Sequence, residues 1–379
     1  MNLGKDFEKA MAELEELKNQ YGPVCNQVIE NQVFTGITFK KRDYQHCTFK
    51  NVTFDHCMVD RCHFTNCRFE AVTIKNSQWD TNFFWTGGAW KNMQIIDSVF
   101  IGSVWNNVEQ DHVTWQGGAL KGEQSTGSKR TNLIFDKTHF INCQYMNVGF
   151  ANLEFKEVTW QLGAFGNCDL RQATLPFEVL SETHLIQCNL SGVDFSGLTL
   201  DRLNFTSANL TDAVFDDAIL QGCIFKEANL TGAHFDRVKT SAVSFHRAQL
   251  TKASLTSADL TSGIFSEAEV SGSDFSKSVL SGAIFVGAKA HGTIFNNCNL
   301  VHANFMKADL SDSQFNQANL FKTLFHGAVL ANVDFNARQQ QEAIWIDPEL
   351  GEAEAFSRKM RGDVKIGPVG PIGPTIRKI

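Results

Sequence analysis

A residue that is apolar or nearly so recurs at every fifth position from Leu190 to Phe335, and this repeat constrains the fold more than any other feature of the chain. Twenty-seven of these thirty positions, which we call centres, are Leu or Phe. The residue two places before each centre is small, and the other three positions are mostly polar, as in residues 208–212, which read Ala-Asn-Leu-Thr-Asp. Because self-similarity at a fixed period is the signature of a repeat architecture, the period outweighs local propensities.

A period of five fits neither an α-helix, with 3.6 residues per turn, nor a flat strand, with an alternation of two. It suits one side of a square coil in which two side chains point inward and three point outward. Four sides make a turn of twenty residues, and successive turns stack at the strand spacing of ~4.8 Å. Phe and Leu alternate along the centres, so each Phe is expected to stack on the Phe twenty residues away. The sequence therefore predicts an all-β solenoid.

The unit A-[DN]-[LF]-x-x, repeated through residues 190–335, resembles the pentapeptide-repeat family, and weaker copies extend the resemblance over most of the chain. The resemblance implies a right-handed quadrilateral β-helix. The handedness comes from the resemblance alone, because the spacing of the repeat does not determine it. Short α-helices are predicted at both ends of this coil, where the repeat is absent.

The pattern divides the chain into six segments, which differ in how well they keep the repeat. We predict an N-terminal amphipathic capping helix in residues 1–23, a first part of the β-helix in 24–120, a protruding loop rich in Gly, Ser and charge in 121–132, the main β-helix in 133–345, a C-terminal helix in 346–362 and a Gly-Pro tail in 363–379. The C-terminal helix is expected to span 348–361, with Asp347 as its N-cap and Pro348 at its first position.

Two irregularities are expected inside the coil. The centres shift by one residue near 80–85, which predicts a bulge there, and Pro176 predicts a distorted side. A third pattern pairs Trp with a following Gly in the next inward slot, at Gly88, Gly118 and Gly163. We interpret these glycines as giving up volume to the indole rings, with an aromatic ligand-binding box as the alternative.

Nine of the ten cysteines occupy the small inward slot, where a thiol packs like a small apolar group. All ten are therefore predicted to be free, buried thiols in a reducing compartment. A zinc site is not expected at Cys47 and Cys57, because the preceding His46 and His56 would point outward and residues ten apart lie on opposite sides of the square. We expect no metal, no cofactor and no catalytic residue, since no titratable group has a predicted pocket around it.

Charge and hydropathy limit the remaining functions. The net charge is −7 with a pI near 5.9, which does not favour direct nucleic-acid binding. The sequence has no apolar stretch long enough to span a membrane and no N-terminal signal pattern, so a cytoplasmic protein is expected, with signal-independent export left open. The first hypothesis is a non-enzymatic scaffold or adaptor that binds another protein.

The family resemblance adds two alternatives. Some members are secretion-associated accessory proteins or effectors. Others mimic DNA and bind a topoisomerase such as gyrase, but mimicry needs a dense acidic surface, and residues 190–335 hold fourteen Asp and Glu against ten Lys and Arg.

Partner binding is predicted at the two ends, because the sides of the coil read as small and polar and lack large anchors. The candidate residues are apolar side chains of the N-terminal helix and of the tail: Phe7, Met11, Leu14, Tyr21, Val369, Ile372, Ile376 and Ile379. The alternatives are a helix that only caps the first coil and a tail that binds nothing. The terminal helices could also join two copies of the chain.

Overall fold

The computed structural model describes residues 22–80, 83–240 and 243–346. The chain forms two compact units, which meet in sequence between Val179 and Leu180. Residues 1–21 of the predicted N-terminal helix, the predicted helix of 348–361 and the tail of 363–379 lie outside the described residues. Within each unit the twenty-residue coil is present, so the predicted all-β solenoid is confirmed.

The first unit consists of parallel strands that pair with the strands one coil before and one coil after, in four columns. The strands are β1 (Val24–Cys25), β2 (Val28–Glu30), β3 (Val33–Thr35), β4 (Thr38–Lys40), β5 (Asp43–Gln45), β6 (Thr48–Lys50), β7 (Thr53–Asp55), β8 (Met58–Asp60), β9 (His63–Thr65), β10 (Arg68–Glu70), β11 (Thr73–Lys75), β12 (Gln78–Asp80), β13 (Phe84–Thr86), β14 (Ala89–Ile96), β15 (Val99–Ile101), β16 (Val104–Asn106), β17 (Glu109–Gln116), β18 (Ala119–Lys121), β19 (Gln124–Thr126), β20 (Lys129–Asp136), β21 (His139–Met146), β22 (Gly149–Lys156) and β23 (Thr159–Gly166). The eight-residue strands pass from one side of the coil to the next.

The pairing register shows one added residue in this unit. Gln78 pairs with Met58, twenty residues away, but Phe84 pairs with His63, which is twenty-one residues away. The spacing returns to twenty at the next coil, where Phe84 pairs with Val104. The ladder therefore absorbs one extra residue between Asp80 and Phe84, in the region where the shift of the centres predicts a bulge.

The second unit has the same coil with shorter pairing. Its strands are β24 (His184–Ile186), β25 (Thr199–Asp201) and β26 (Ile219–Gln221), and elsewhere single parallel bridges join residues twenty apart. Most of the small inward residues donate their backbone N–H to the carbonyl oxygen of the preceding centre, as Ala213 does to Leu210 at 3.1 Å, which closes a tight turn. The Phe rings stack as predicted: Phe195 and Phe215 lie 4.6 Å apart with an interplanar angle of 5°.

Most corners of the coil contain a residue in the left-handed region of backbone space. This residue follows its centre by two places, and its φ is near +55°, as at Asn51 (φ 52°) and Lys252 (φ 59°). Gly and Asn tolerate this conformation best. In the first unit many corners are Asn, whereas in the second unit several are Arg, Lys or Glu.

The predicted protruding loop of residues 121–132 is wrong. Strands β18, β19 and β20 run through this segment, and its side chains continue the inward and outward alternation. The centres are present but polar, since Ser125 and Arg130 occupy the positions that Leu or Phe fill elsewhere. Sequence analysis interpreted the absence of apolar centres in this segment as the absence of the coil. It did not consider that a charged residue could be buried inside the solenoid.

A buried polar cluster fills this part of the core. Arg130 is 3% exposed and Glu123 is 1% exposed, and the guanidinium Nη2 donates to Glu123 Oε1. The Tyr145 hydroxyl donates to the other carboxylate oxygen at 2.8 Å. Ser125 lies between Trp105 and Tyr145 in the stack, and its small side chain leaves the space in which the guanidinium lies 6.0 and 5.0 Å from the centres of these two rings.

The tryptophans are packed inside the first unit. Trp79, Trp85, Trp90 and Trp105 are fully buried, so packing, and not an aromatic ligand-binding box, is their role. The explanation of the glycines holds at Gly163, where an added Cβ would lie 2.5 Å from Trp160 Nε1. It is wrong at Gly88 and Gly118, where the added atom would lie 2.0 Å from a backbone oxygen of the previous coil. Gly is required at these two positions because the backbone of the previous coil lies too close for a Cβ atom, and not because the indole rings need the space.

Two departures from regular sides occur in or beside the second unit. The distorted side predicted at Pro176 is confirmed by a 3₁₀ helix, Phe177–Val179, at the end of the first unit. In the second unit a helix that sequence analysis missed, α1 (Ala337–Glu342), replaces one side of the last coil, with Asn336 as its N-cap. Trp345 then resumes the core, with its ring stacked on Phe325 at 5.2 Å.

Candidate docking surface

None of the eight predicted partner-binding residues can be placed. Phe7, Met11, Leu14 and Tyr21 precede the described residues, and Val369, Ile372, Ile376 and Ile379 follow them. The structure therefore does not test the prediction of partner binding at the two ends. It does, however, show a surface on one side of the second unit that sequence analysis passed over.

A column of outward side chains, one place before the centres, runs along one side of the second unit. Bridges between residues twenty apart align it. Its rungs are His184, Asn204, Ile224, Ser244, Ile264, Ile284, Asn304, Leu324 and Ile344, and five of the last seven are aliphatic. A β-branched residue at an outward position favours pairing in the ladder, but here the aliphatic surface also faces solvent.

The aliphatic surface widens over the last four coils. The two corner columns beside these rungs read Ser281, Val301, Phe321 and Gln341 on one edge, and Val286, Met306, His326 and Ile346 on the other. We call the eight apolar residues the apolar patch: Ile284, Val286, Val301, Met306, Phe321, Leu324, Ile344 and Ile346. Phe321 is 46% exposed and Ile346 is 51% exposed, so the patch offers large side chains to solvent.

The same coils carry a polar surface on the opposite side of the square. Its twelve equivalent positions read Ser271, Asp274, Ser276, His291, Ile294, Asn296, Ser311, Gln314, Asn316, Ala331, Asp334 and Asn336. On the patch side, none of the twelve is Asp, Glu, Lys or Arg. Exposed apolar patches that are large and contiguous mark interaction sites, so this asymmetry identifies one side of the unit as a candidate docking surface.

Charged residues lie at the corners that border the patch. The ammonium of Lys322 lies 5.4 Å from the centre of the Phe321 ring, and the His302 ring meets the same Phe edge-on at 6.3 Å. Lys307 and Glu267 lie on the other edge, and Glu267 pairs with Arg247 at 2.8 Å. An apolar centre with a charged border is the usual composition of a protein-binding surface.

Sequence analysis missed this patch because it examined the outward residues together. Averaged over all four sides, they are small and polar. The apolar residues separate from the rest only when every twentieth residue is aligned in one column. The signal that could have found them was the recurrence of Ile or Leu at Ile224, Ile264, Ile284, Leu324 and Ile344.

One group of side chains has the composition of a cation site. The ligand atoms of Asp216, His234 and Asp236 lie within 4.8 Å of one another. Both carboxylates already accept backbone hydrogen bonds, Asp216 from Asp236 N at 3.0 Å and Asp236 from Thr256 N at 2.8 Å. These contacts explain the cluster as support for the turns of neighbouring coils.

The cysteines line the core. All ten are free, and nine are buried, but Cys25 is half-exposed because it follows a centre and does not occupy the small inward slot. The prediction of ten buried thiols is therefore wrong at this position. Burial raises the pKa of Cys62 to about 11 and that of Cys223 to about 12. A raised pKa keeps a thiol protonated and weakly reactive at neutral pH.

We expect thiol counting with a chromogenic disulfide reagent to find about one reactive cysteine in the native protein and the other nine only after denaturation. Exchange of Cys25 for Ser should remove the native signal and leave the denatured count one lower. Rapid reaction of several thiols in the folded protein would contradict the buried slots described here.

The described part of the chain contains no helix long and apolar enough to cross a membrane.

The two units of the chain are parallel β-solenoids with sides of five residues, and this geometry defines the class of protein. Sequence profiles agree with it. The profile described as "Pentapeptide repeat region" matches residues 158–235, and the one described as "Pentapeptide repeats (8 copies)" matches 228–266, 244–282 and 283–321. Over residues 158–321 the chain consists of pentapeptide repeats, and its fold is the β-solenoid of a pentapeptide-repeat protein.

Solved structures of the family are similar to the chain. HetL, a pentapeptide repeat protein involved in heterocyst differentiation regulation in Nostoc sp. strain PCC 7120, is 14% identical, with 79% of this chain and 94% of HetL covered and a TM-score of 0.21. Full-length QnrB1, a plasmid-mediated fluoroquinolone resistance protein, is 14% identical over 72% of this chain and 96% of its own, with a TM-score of 0.18. A pentapeptide repeat protein of the Arabidopsis thaliana thylakoid lumen is 27% identical over 43% and 81%, with a TM-score of 0.17. No curated protein matches the chain.

Proposed function

We propose that the protein is a non-enzymatic scaffold that binds another protein through the apolar patch. The observation that carries the proposal is the contrast between opposite sides of the same four coils. One side presents eight apolar residues at twelve outward positions, and the other presents two. Burial of such a surface releases about 25 cal/mol for each Å² of apolar area removed from water, which favours association with a complementary partner.

The architecture supports this role. The rungs of the patch are held by backbone bonds such as Phe325 N to Ile344 O at 2.8 Å, and by the buried Phe columns behind them. A partner would therefore meet a surface that is already ordered, which lowers the entropy cost of binding. Phe321 is the only exposed aromatic residue of the patch, and aromatic side chains often contribute most of the binding energy at interfaces.

Capture from an extract of the native cells tests the proposal. The bait is the full chain, compared with the variants Ile284→Asp and Ile294→Asp. Both substitutions place the same charge at an outward bridge residue, the first on the patch and the second on the opposite side. We expect Ile284→Asp to reduce partner recovery at least about tenfold, a change that corresponds to ~1.4 kcal/mol of binding free energy. Ile294→Asp should leave recovery unchanged.

Two results would contradict the proposal. Equal recovery of the partners by both variants would show that the partners do not bind at the patch. If a chain that ends at Gly362 loses the partners while Ile284→Asp keeps them, binding lies in the Gly-Pro tail of 363–379, as sequence analysis predicts. Thermal melting of both variants serves as the control, because a loss of fold would also lower recovery.

The DNA-mimic alternative has less support. Acidic and basic side chains are mixed in the second unit, and many are paired, as Arg237 is with Asp217 at 2.8 Å and Arg247 is with Glu267. A mimic of the phosphate backbone needs a continuous negative surface. Inhibition of gyrase supercoiling by the purified protein would overturn the scaffold proposal in favour of this one.

A further inference from the structure

We infer that the apolar patch accepts a single amphipathic α-helix of the partner, with acidic residues beside the apolar face of that helix. This inference rests on the proposed function, since it names the kind of segment that binds the same docking surface. The hydrogen bonding of the rungs, the dimensions of the face and the polar groups on it each favour such a helix.

The backbone of the rungs is engaged within the stack of coils. Leu324 N donates to Ala303 O at 2.9 Å, and Leu324 O accepts from Phe305 N at 2.8 Å. The same pair of hydrogen bonds to the coil before is made by the other rungs of the patch side, Ile284, Asn304 and Ile344. A strand can extend a sheet only where an edge offers unpaired backbone groups. The patch therefore offers side chains, and it favours a helix, whose backbone groups are paired internally.

The face between the corners has the width of one helix. Residues 283–285 form one side of a coil, and three residues of extended chain are ~10 Å long. An α-helix with its side chains is ~10–12 Å across and advances ~5.4 Å per turn. Because the rungs follow one another at ~4.8 Å, each turn of a helix that lies along the stack meets about one rung. Three turns are enough to reach from Ile284 to Ile344.

The same dimensions favour one helix over a second copy of the chain. The face from Ile284 to Ile344 is ~14 Å long and ~10 Å wide. A stable dimer buries about 800 Å² on each partner, several times the area of this face. The apolar stripe of one short amphipathic helix, with apolar residues at spacings of three and four, matches the face in length and width.

A lysine beside the aromatic residue of the patch favours an acidic helix. The ammonium of Lys322 lies 5.4 Å from the centre of the Phe321 ring, and it pairs with no carboxylate in the part of the chain that the structure describes. The acidic residue at the same corner of the next coil, Glu342, pairs with Arg338 at 2.8 Å. A helix that packs an aliphatic side chain on Phe321 brings the residue beside that side chain near Lys322. A carboxylate there would form a charge-assisted hydrogen bond.

The polar rung of the patch also favours an acceptor on the partner. Asn304 Oδ1 accepts from Met306 N at 2.9 Å, whereas Asn304 Nδ2 donates to no acceptor among the described residues. The amide therefore has a donor to offer, as Lys322 has. Carboxylates only accept hydrogen bonds when they are ionised, so glutamate or aspartate at the border of the helix complements both groups.

Three synthetic peptides of ~18 residues, a length at which helices can form in water, test the inference with the full chain. The acidic helix has Leu at spacings of three and four, Glu on both sides of the Leu stripe, and Ala or Gln elsewhere. The basic helix has Lys in place of Glu. The strand peptide has the composition of the acidic helix with Leu at every second position. Fluorescence anisotropy of the labelled peptides measures their binding.

We expect the acidic helix to bind at least about tenfold more tightly than the basic helix, because only its charges complement Lys322. The strand peptide should show no saturable binding. Ile284→Asp should abolish binding of the acidic helix, and Ile294→Asp, on the opposite side of the square, should leave it unchanged. Lys322→Glu should reverse the order of the two helices, whereas Lys277→Glu, at a corner of the opposite side, should preserve it.

Several results would overturn the inference. They are equal binding of the acidic and basic helices, tightest binding of the strand peptide, binding of the acidic helix that survives Ile284→Asp, and no binding of any peptide. A dimer of the protein that Ile284→Asp dissociates in analytical ultracentrifugation would assign the patch to a second copy instead. Thermal melting of each variant excludes loss of the fold as the cause of lost binding.

These results are separable from those of the capture experiment. If the acidic helix binds at the patch as expected but the full chain captures no partner through Ile284, the proposed function fails and the inference stands. If Ile284→Asp abolishes capture from the extract while the acidic and basic helices bind equally, the inference fails and the proposed function stands.

Discussion

Substitution of Arg130 by Met is expected to lower the free energy of unfolding of the first unit by about 3–5 kcal/mol. The substitution leaves the Glu123 carboxylate buried in the core without its counter-ion, and Glu123 is 1% exposed. Burial of an unpaired charge costs far more than the loss of a surface ion pair. Denaturant unfolding followed by Trp fluorescence measures the effect, since six of the seven tryptophans lie in residues 79–160.

A restored apolar core provides the control. Glu123→Ala, Ser125→Leu, Arg130→Leu and Tyr145→Phe together return this segment to the regular pattern and remove every charge of the cluster. Replacement of a whole buried ion pair by packed apolar residues is often neutral or stabilising, so the quadruple variant should be at least as stable as the natural protein. A cost below about 1 kcal/mol for Arg130→Met alone would show that Glu123 finds another partner or takes up a proton.

Substitution of Phe275 by Asp is expected to destabilise the second unit by at least about 4 kcal/mol. Phe275 is fully buried, its ring stacks on Phe295 at 5.2 Å and it meets Phe265 and Phe285 edge-on. Loss of a buried Phe side chain costs ~3–5 kcal/mol by itself, and a carboxylate in the same place adds the cost of an unpaired charge. Far-ultraviolet circular dichroism during denaturant unfolding measures the loss.

Leu255→Phe is the matched variant for this experiment. Leu255 precedes Phe275 in the same column and interrupts the alternation of Phe and Leu. A Phe there could stack between Phe235 and Phe275, and this gain offsets the cost of the added volume. We expect little change in stability. If Leu255→Phe is as damaging as Phe275→Asp, the column is filled by shape-specific packing that does not tolerate the regular pattern.

The sequence was sufficient to predict the coil because the core repeats every five residues and nearly every copy carries the same information. Residues 121–132 show where this reasoning stopped. Taken singly, Ser125 and Arg130 each depart from the pattern of apolar centres. Together they fill the core, because the small Ser125 side chain leaves space for the large Arg130 side chain. Such compensation lies in contacts between different sides of the coil, and the spacing of residues along the chain does not reveal it.

The candidate docking surface was harder to predict than the core. Core residues follow a period of five, whereas the columns of the surface follow a period of twenty, so each column has one fourth as many copies from which to recognise it. Helix α1 was missed for a different reason. Its signals are a single capping residue, Asn336, and one buried amide, Gln339, which donates to Phe315 O at 2.7 Å and Ala318 O at 3.0 Å.

The left-handed corners have a consequence for how such a protein can be adjusted. A residue other than Gly or Asn in this conformation costs on the order of 1 kcal/mol. Lys252 and Lys277 are corners of this kind in the second unit. Their exchange for Asn or Gly would change neither the rings of the core nor the rungs of the patch. The thermal stability of the protein could therefore be adjusted by single substitutions at the corners, each with a small and independent effect, without changing the residues of the apolar patch.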